Sequence, residues 1–189
     1  MDAQRIFLIL HLFGMAIGVG GAVVTDVFFM KFLRDFKISK VEADFLRTLS
    51  RIMWSAVVVL GLSGLGLFLL DVDRYLASGN FMAKMTVVLV LVLNGAFLHF
   101  VVTPTLRKLA FHPPAHSKTD RTRMLRERAF VAGAISMTSW AYAFLLAMLK
   151  WTDIPYLAYV GAYGVLLVFA FASGLLMDAL LTKKANHSA

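Results

Sequence analysis

Long apolar runs separated by short charged segments dominate the chain. Five runs reach the ~20 residues needed to cross the hydrocarbon core of a bilayer. They cover about residues 6–30, 52–70, 85–104, 129–149 and 154–177. None shows the period-two alternation of a transmembrane β-strand, which excludes a β-barrel. A helix closes its own backbone hydrogen bonds in lipid, where no water is available to do so. The pattern therefore predicts an all-α membrane protein. It has one domain, residues 1–189, with five transmembrane helices: a four-helix-bundle-like core plus one additional helix. The first run follows Met1-Asp2-Ala3-Gln4-Arg5 and has no basic stretch before it, so it is read as a span and not as a cleaved leader.

Composition supports the lipid assignment. Of 189 residues, 60% are hydrophobic and 16% charged, against about 45–50% apolar and about 25% charged in soluble domains. The excess needs lipid to face. With no cysteine, disulfides, iron–sulfur clusters and thiolate zinc sites are excluded.

The net charge of +8 invites a nucleic-acid reading, but its distribution argues for topology. Fifteen of the nineteen lysines and arginines fall between spans one and two, between spans three and four, or after span five. Only Arg5, Arg74, Lys84 and Lys150 belong to the other side. The positive-inside rule makes the crowded side cytoplasmic. The N-terminus is then outside and the C-terminus inside. The lipid bilayer is the expected partner, and nucleic acid is not. Phe32, Phe36 and Phe45 suggest a short interfacial helix between spans one and two. His112-Pro113-Pro114-Ala115-His116 reads as a solvated loop, because two prolines prevent the helix that would bring the histidines together.

Ionisable side chains inside a membrane are costly and are candidate functional residues. His11 and Asp26 interrupt span one, His99 lies in span three, and Lys84 stands at the outer mouth of span three. At ~1.5 Å rise per residue, His11 and His99 are ~17 Å apart along the membrane normal. Each is a candidate metal or haem ligand, but not for one shared ion. Asp26 is near the level of His99, with Asn94 about one turn deeper. This second polar site reads as a hydrogen-bonded pair, a proton relay or a metal site. Lys84 is ~5 Å above His11 by the same rise, and either snorkels or pairs with a cofactor carboxylate. Gly14, Gly18 and Gly21 follow His11 on one helix face. That face would admit a packed helix or a flat cofactor. Span two offers Gly61, Ser63, Gly64 and Gly66 in return. Met15, Met82, Met85 and Met148 lie in the outer half, as packing material or as soft ligands beside histidine.

Four features carry a resemblance: His11-Leu-Phe-Gly-Met followed by Gly18-Val-Gly20-Gly21; Leu49-Ser50-Arg51 leading into span two; the glycines of span two; and Phe81-Met-Ala-Lys84 opening span three, with Asn94 inside it. Over about residues 6–110 the chain resembles a group of small bacterial membrane proteins that includes the CopD-like copper-resistance proteins and the HemJ-type protoporphyrinogen oxidases. The latter usually have four spans. The resemblance implies haem b, with His11 as an axial ligand and Lys84 as a partner for haem or substrate carboxylates. On the copper side it implies an ion held by histidine and methionine. Expected activities are electron transfer or a haem-linked oxidation, making the chain a possible oxidoreductase with a quinone or redox protein as partner. Copper handling and a non-enzymatic assembly role are the alternatives. The glycine faces would permit a homodimer.

Overall fold

The structure, a computed structural model, describes residues 2–35, 40–105, 120–149 and 154–187. Helix α1 is Ala3–Asp35 and α2 is Lys40–Leu69. A single short turn of helix, α3 (Val72–Leu76), leads to α4 (Gly79–Phe97). A π-helical segment, Leu98–Val102, continues α4 to Thr105. Helices α5 (Asp120–Met148) and α6 (Tyr156–His187) complete the chain. Five of these helices are long and apolar enough to cross a membrane, and no strand occurs among the described residues.

The helix boundaries move outward from the apolar runs. A helix of 33 residues such as α1 is ~50 Å long, well beyond a hydrocarbon core of ~30 Å. It carries Phe32 in its last turns, while Phe45 belongs to α2. Among the described residues no separate interfacial helix occurs there, since α1 runs to Asp35 and α2 starts at Lys40, and Phe28 meets Phe45 at 4.6 Å between ring centroids. Phe36 and the loop containing His112 and His116 lie outside the described residues. Span three begins at Gly79, six residues before the apolar run. Ser78 caps it by accepting a hydrogen bond from the Phe81 N–H at 3.2 Å, which satisfies one of the helix's orphan donors. Beside it, Phe68 stacks on Phe81 at 5.5 Å and Tyr75 closes on Phe81 at 5.0 Å. These rings join the end of α2 to the start of α4.

Helices α1, α2, α4 and α5 surround a common interior, and α6 packs on α4 and α5 from outside. This is the expected four-helix core plus one. Helix α5 touches α1, α4 and α6 and is the most buried span. It also has the lowest mean hydropathy, 1.5 against 2.1–2.3 elsewhere, because a helix that faces protein needs fewer lipid-compatible side chains. Small residues sit at the contacts: Ala22, Ala56, Ala83, Ala129 and Ala132 are all buried. They let backbones approach closely where the hydrophobic effect gives helices no reason to associate. Polar groups fasten the same seams. Tyr142 donates to the Tyr159 carbonyl at 2.7 Å, Tyr163 bonds Ser139 at 2.7 Å, and Asn94 donates to the Ala132 carbonyl at 2.8 Å.

Asn94 thus binds α4 to α5. Replacing it with leucine is expected to lower stability by ~0.5–1 kcal/mol, the usual size of an interhelical hydrogen bond in a membrane. Reversible unfolding in mixed micelles measures it. The loss stays small because the Ala132 carbonyl remains inside α5.

Candidate functional site

Two polar sites lie at opposite halves of the bundle, and α2 contributes a serine to each. In the first, His11 Nδ1 lies 3.1 Å from Ser63 Oγ. Ser63 has one proton, which it donates to the Val59 carbonyl at 2.6 Å. The serine therefore accepts from the imidazole, and His11 carries its hydrogen on Nδ1. That leaves the lone pair on Nε2, and the imidazole also has a hydrogen-bonding interaction with the Leu60 backbone. Ser63 is itself buried, at 3% exposure. Gly64 provides the clearance: a Cβ there would stand 3.3 Å from His11 Cε1.

Lys84 belongs to the same half of the bundle. It lies five residues past the Gly79 start of α4, because the Ser78 cap starts the helix early. It is close enough to His11 for a direct Coulombic interaction. Among the described residues it makes no ion pair or hydrogen bond. An ammonium and an imidazole thus lie near each other in this half of the bundle.

The glycine face below His11 is filled by protein. The open side of Gly14 meets the Leu60 side chain and the Ala56 carbonyl. Gly18 lies under the Trp140 ring, and Gly21 under Met53. Of the two uses open to this stripe, the structure displays helix packing. A macrocycle does not fit on Gly14 and Gly18 without displacing Leu60 and Trp140. The donor set at His11 fits a haem ligand; the glycine platform does not.

The second site is a cavity of about 140 Å³ between α1, α2, α4 and α5. Asp26, Ser50, His99, Ser136 and the rings of Trp54 and Trp140 are among its walls. His99 Nδ1 pairs with Ser50 Oγ at 2.9 Å, and its ring meets Trp54 edge-on at 6.2 Å. The expected Asp26–His99 hydrogen bond does not form. Both residues border the cavity, but the Nδ1 of His99 is occupied by Ser50, and Asp26 has no hydrogen bond or ion pair among the described residues. Asn94, the other expected member, turns to Ala132 instead.

The helix changes register at His99 for an identifiable reason. Pro104 brings no backbone N–H, so an α-helical ladder would lose a bond there. The chain widens into a π-helical turn just before it. The Thr103 N–H and Oγ1 both reach the Leu98 carbonyl, Oγ1 at 2.9 Å. Such π segments are frequent at functional positions.

Ser50 and Ser63 are thirteen residues apart on α2, which is ~20 Å of helix. The two histidines are therefore held at two levels, as the depth arithmetic predicts. Among the described residues no group of three histidine, cysteine or carboxylate side chains converges on a metal position. Met82 and Met85 are exposed on the bundle surface, and Met15 packs against the core of Ala22, Leu91 and Trp140.

The chain is a multi-pass α-helical membrane protein with two histidine-bearing polar sites, one in each half of its bundle. No family model, curated protein or solved structure matches it.

Proposed function

We propose that this protein binds haem b, with His11 as an axial ligand, and serves electron transfer or a haem-linked oxidation. The observation that carries the reading is the Ser63–His11 bond. A ligating histidine needs its second ring nitrogen tied to an acceptor, which fixes the tautomer and raises the basicity of the ligating nitrogen. Ser63 is such an acceptor, and Nε2 keeps its lone pair. Lys84 would pair with a carboxylate of the haem or of a substrate, a role compatible with an ammonium lacking a described counter-ion. The haem would supply one-electron chemistry. The protein's part is to hold His11 in one tautomer and to balance charge with Lys84. Its electron partner would be a quinone or a redox protein.

The reading is tested by oxidised and reduced absorption spectra of protein purified from haem-sufficient cells. A Soret band near stoichiometric intensity is expected. A colourless protein containing copper would replace haem with the copper reading, and a colourless, metal-free one would leave the assembly role.

Orientation follows from the basic residues. The proposed location is a bacterial inner membrane, with α1 beginning outside and the C-terminus in the cytoplasm. The absence of cysteine makes this directly measurable. In intact cells, Ala77→Cys is expected to react with a membrane-impermeant maleimide, whereas Ser117→Cys is expected to react only after lysis. The reverse pattern would invert the protein.

A further inference from the structure

The cavity around Asp26 and His99 is separate from the proposed haem ligand. By helix rise, Asp26 is ~22 Å along α1 from His11, and Trp140 lies across Gly18 between these two levels. Its volume of about 140 Å³ is close to that of a cavity known to take up benzene, ~150 Å³. The interior is therefore the size of one six-membered ring. Trp54 and Trp140 contribute their large, mostly apolar rings to its walls. Polar side chains are a minority of the lining: Asp26, His99, Ser50, Ser136, Thr25 and Thr103.

Charge narrows the ligand further. Among the described residues no lysine or arginine lines the cavity, so an anion would enter uncompensated. A cation could pair with Asp26, but this half of the bundle adjoins the basic segments that contain fifteen of the nineteen lysines and arginines. Their field opposes the approach of a cation. A neutral ring with polar substituents meets neither penalty. An imidazole and a carboxyl on the walls of one cavity can exchange hydrogen bonds with oxygens on such a ring, while its apolar remainder stays in lipid.

We propose that the cavity between α1, α2, α4 and α5 binds the head ring of a neutral, membrane-soluble molecule carrying hydrogen-bonding oxygens, the chemistry shared by lipid quinones and alkyl phenols. Asp26 and His99 bond the ring oxygens, and Trp54 and Trp140 enclose the ring.

The test is the unfolding temperature of the full chain in lipid nanodiscs, titrated with a decyl-substituted 1,4-benzoquinone and with 4-decylphenol. A saturable rise is expected with at least one probe, and the stronger one identifies the source. Gly95 lines the cavity, and a Cβ there would meet nothing within 4 Å. Gly95→Leu should therefore fold, fill the space and abolish the rise. Asp26→Leu and His99→Phe should each weaken binding about tenfold, the value of one hydrogen bond of ordinary strength. His11→Ala should respond like the wild type, which keeps this result independent of the haem reading. A rise that survives Gly95→Leu would reflect partition into lipid and overturn the site. So would a response to N-decylpyridinium alone, which would make the ligand a cation, or no response to any probe.

Discussion

Replacing His11 with alanine is expected to remove the Soret band of the purified protein, while Ser63→Ala retains it at reduced haem affinity. The two variants separate ligation from packing. His11→Ala deletes the only imidazole in its half of the described bundle, so a haem dependent on it has no replacement. Ser63→Ala leaves Nε2 in place but removes the acceptor that holds the hydrogen on Nδ1. Loss of such a supporting partner typically costs ~10–100-fold in metal affinity. The Val59 carbonyl keeps its place in the α2 ladder, so the helix itself should be unaffected. Ser63→Thr, which restores the hydroxyl, should recover affinity. If His11 merely fills space, both alanine variants leave the spectrum and haem stoichiometry of the wild type. If Ser63 matters only for helix packing, Ser63→Ala lowers the unfolding temperature without changing a haem titration. The readouts are pyridine haemochrome content and a haem titration of protein purified from haem-limited cells. Lys84→Met belongs in the same titration, because a lost carboxylate partner weakens binding without abolishing the band.

The spans were legible because the bilayer imposes a length and backbone satisfaction imposes helix. Ends were less legible. An apolar count stops at the first polar residue, whereas α1 continues to Asp35 and α4 starts at a serine cap. Depth was also legible, since helix rise is constant, and it separated His11 from His99. Rotation about each helix axis was not. Whether His99 meets Asp26 or Ser50 depends on which way each helix is turned in the bundle, and that is decided by contacts among all of them. The serine at position 50 was visible in Leu49-Ser50-Arg51 without any sign of its partner. Ser63 was visible only as a small residue among glycines, although a lone hydroxyl near the depth of His11 was a usable signal. The glycine stripe permits two uses by its nature. Only the Trp140 ring over Gly18 distinguishes them, and tryptophan 122 residues away could not be assigned there from spacing.

Glycine substitutions within α6 are expected to act in opposite directions, and Gly174→Ala should be the most damaging. A Cβ at Gly174 would stand 3.0 Å from Val131 Cα, 3.1 Å from its nitrogen and 3.2 Å from the Phe130 carbonyl carbon. These are backbone atoms of α5, which cannot rotate out of the way as a side chain can. The methyl group must push the two helices apart, an overpacking cost of ~1–3 kcal/mol. Gly161 and Gly164, on the same helix, would place a Cβ in open space. There alanine meets no contact and gains the ~1 kcal/mol of helix propensity that glycine lacks. A thermal or mixed-micelle unfolding series should therefore rank Gly161→Ala and Gly164→Ala at or above the wild type and Gly174→Ala clearly below it. Equal effects at all three positions would mean that propensity alone decides, and that α6 does not seat on α5 as described. The displacement also has a functional reading. Helix α5 carries Gly133, Ser136 and Trp140 into the cavity beside Asp26 and His99. Moving α5 by a few tenths of an ångström should weaken ring binding there in Gly174→Ala. The proposed haem site at His11 draws on α1, α2 and α4, so haem binding there should change less.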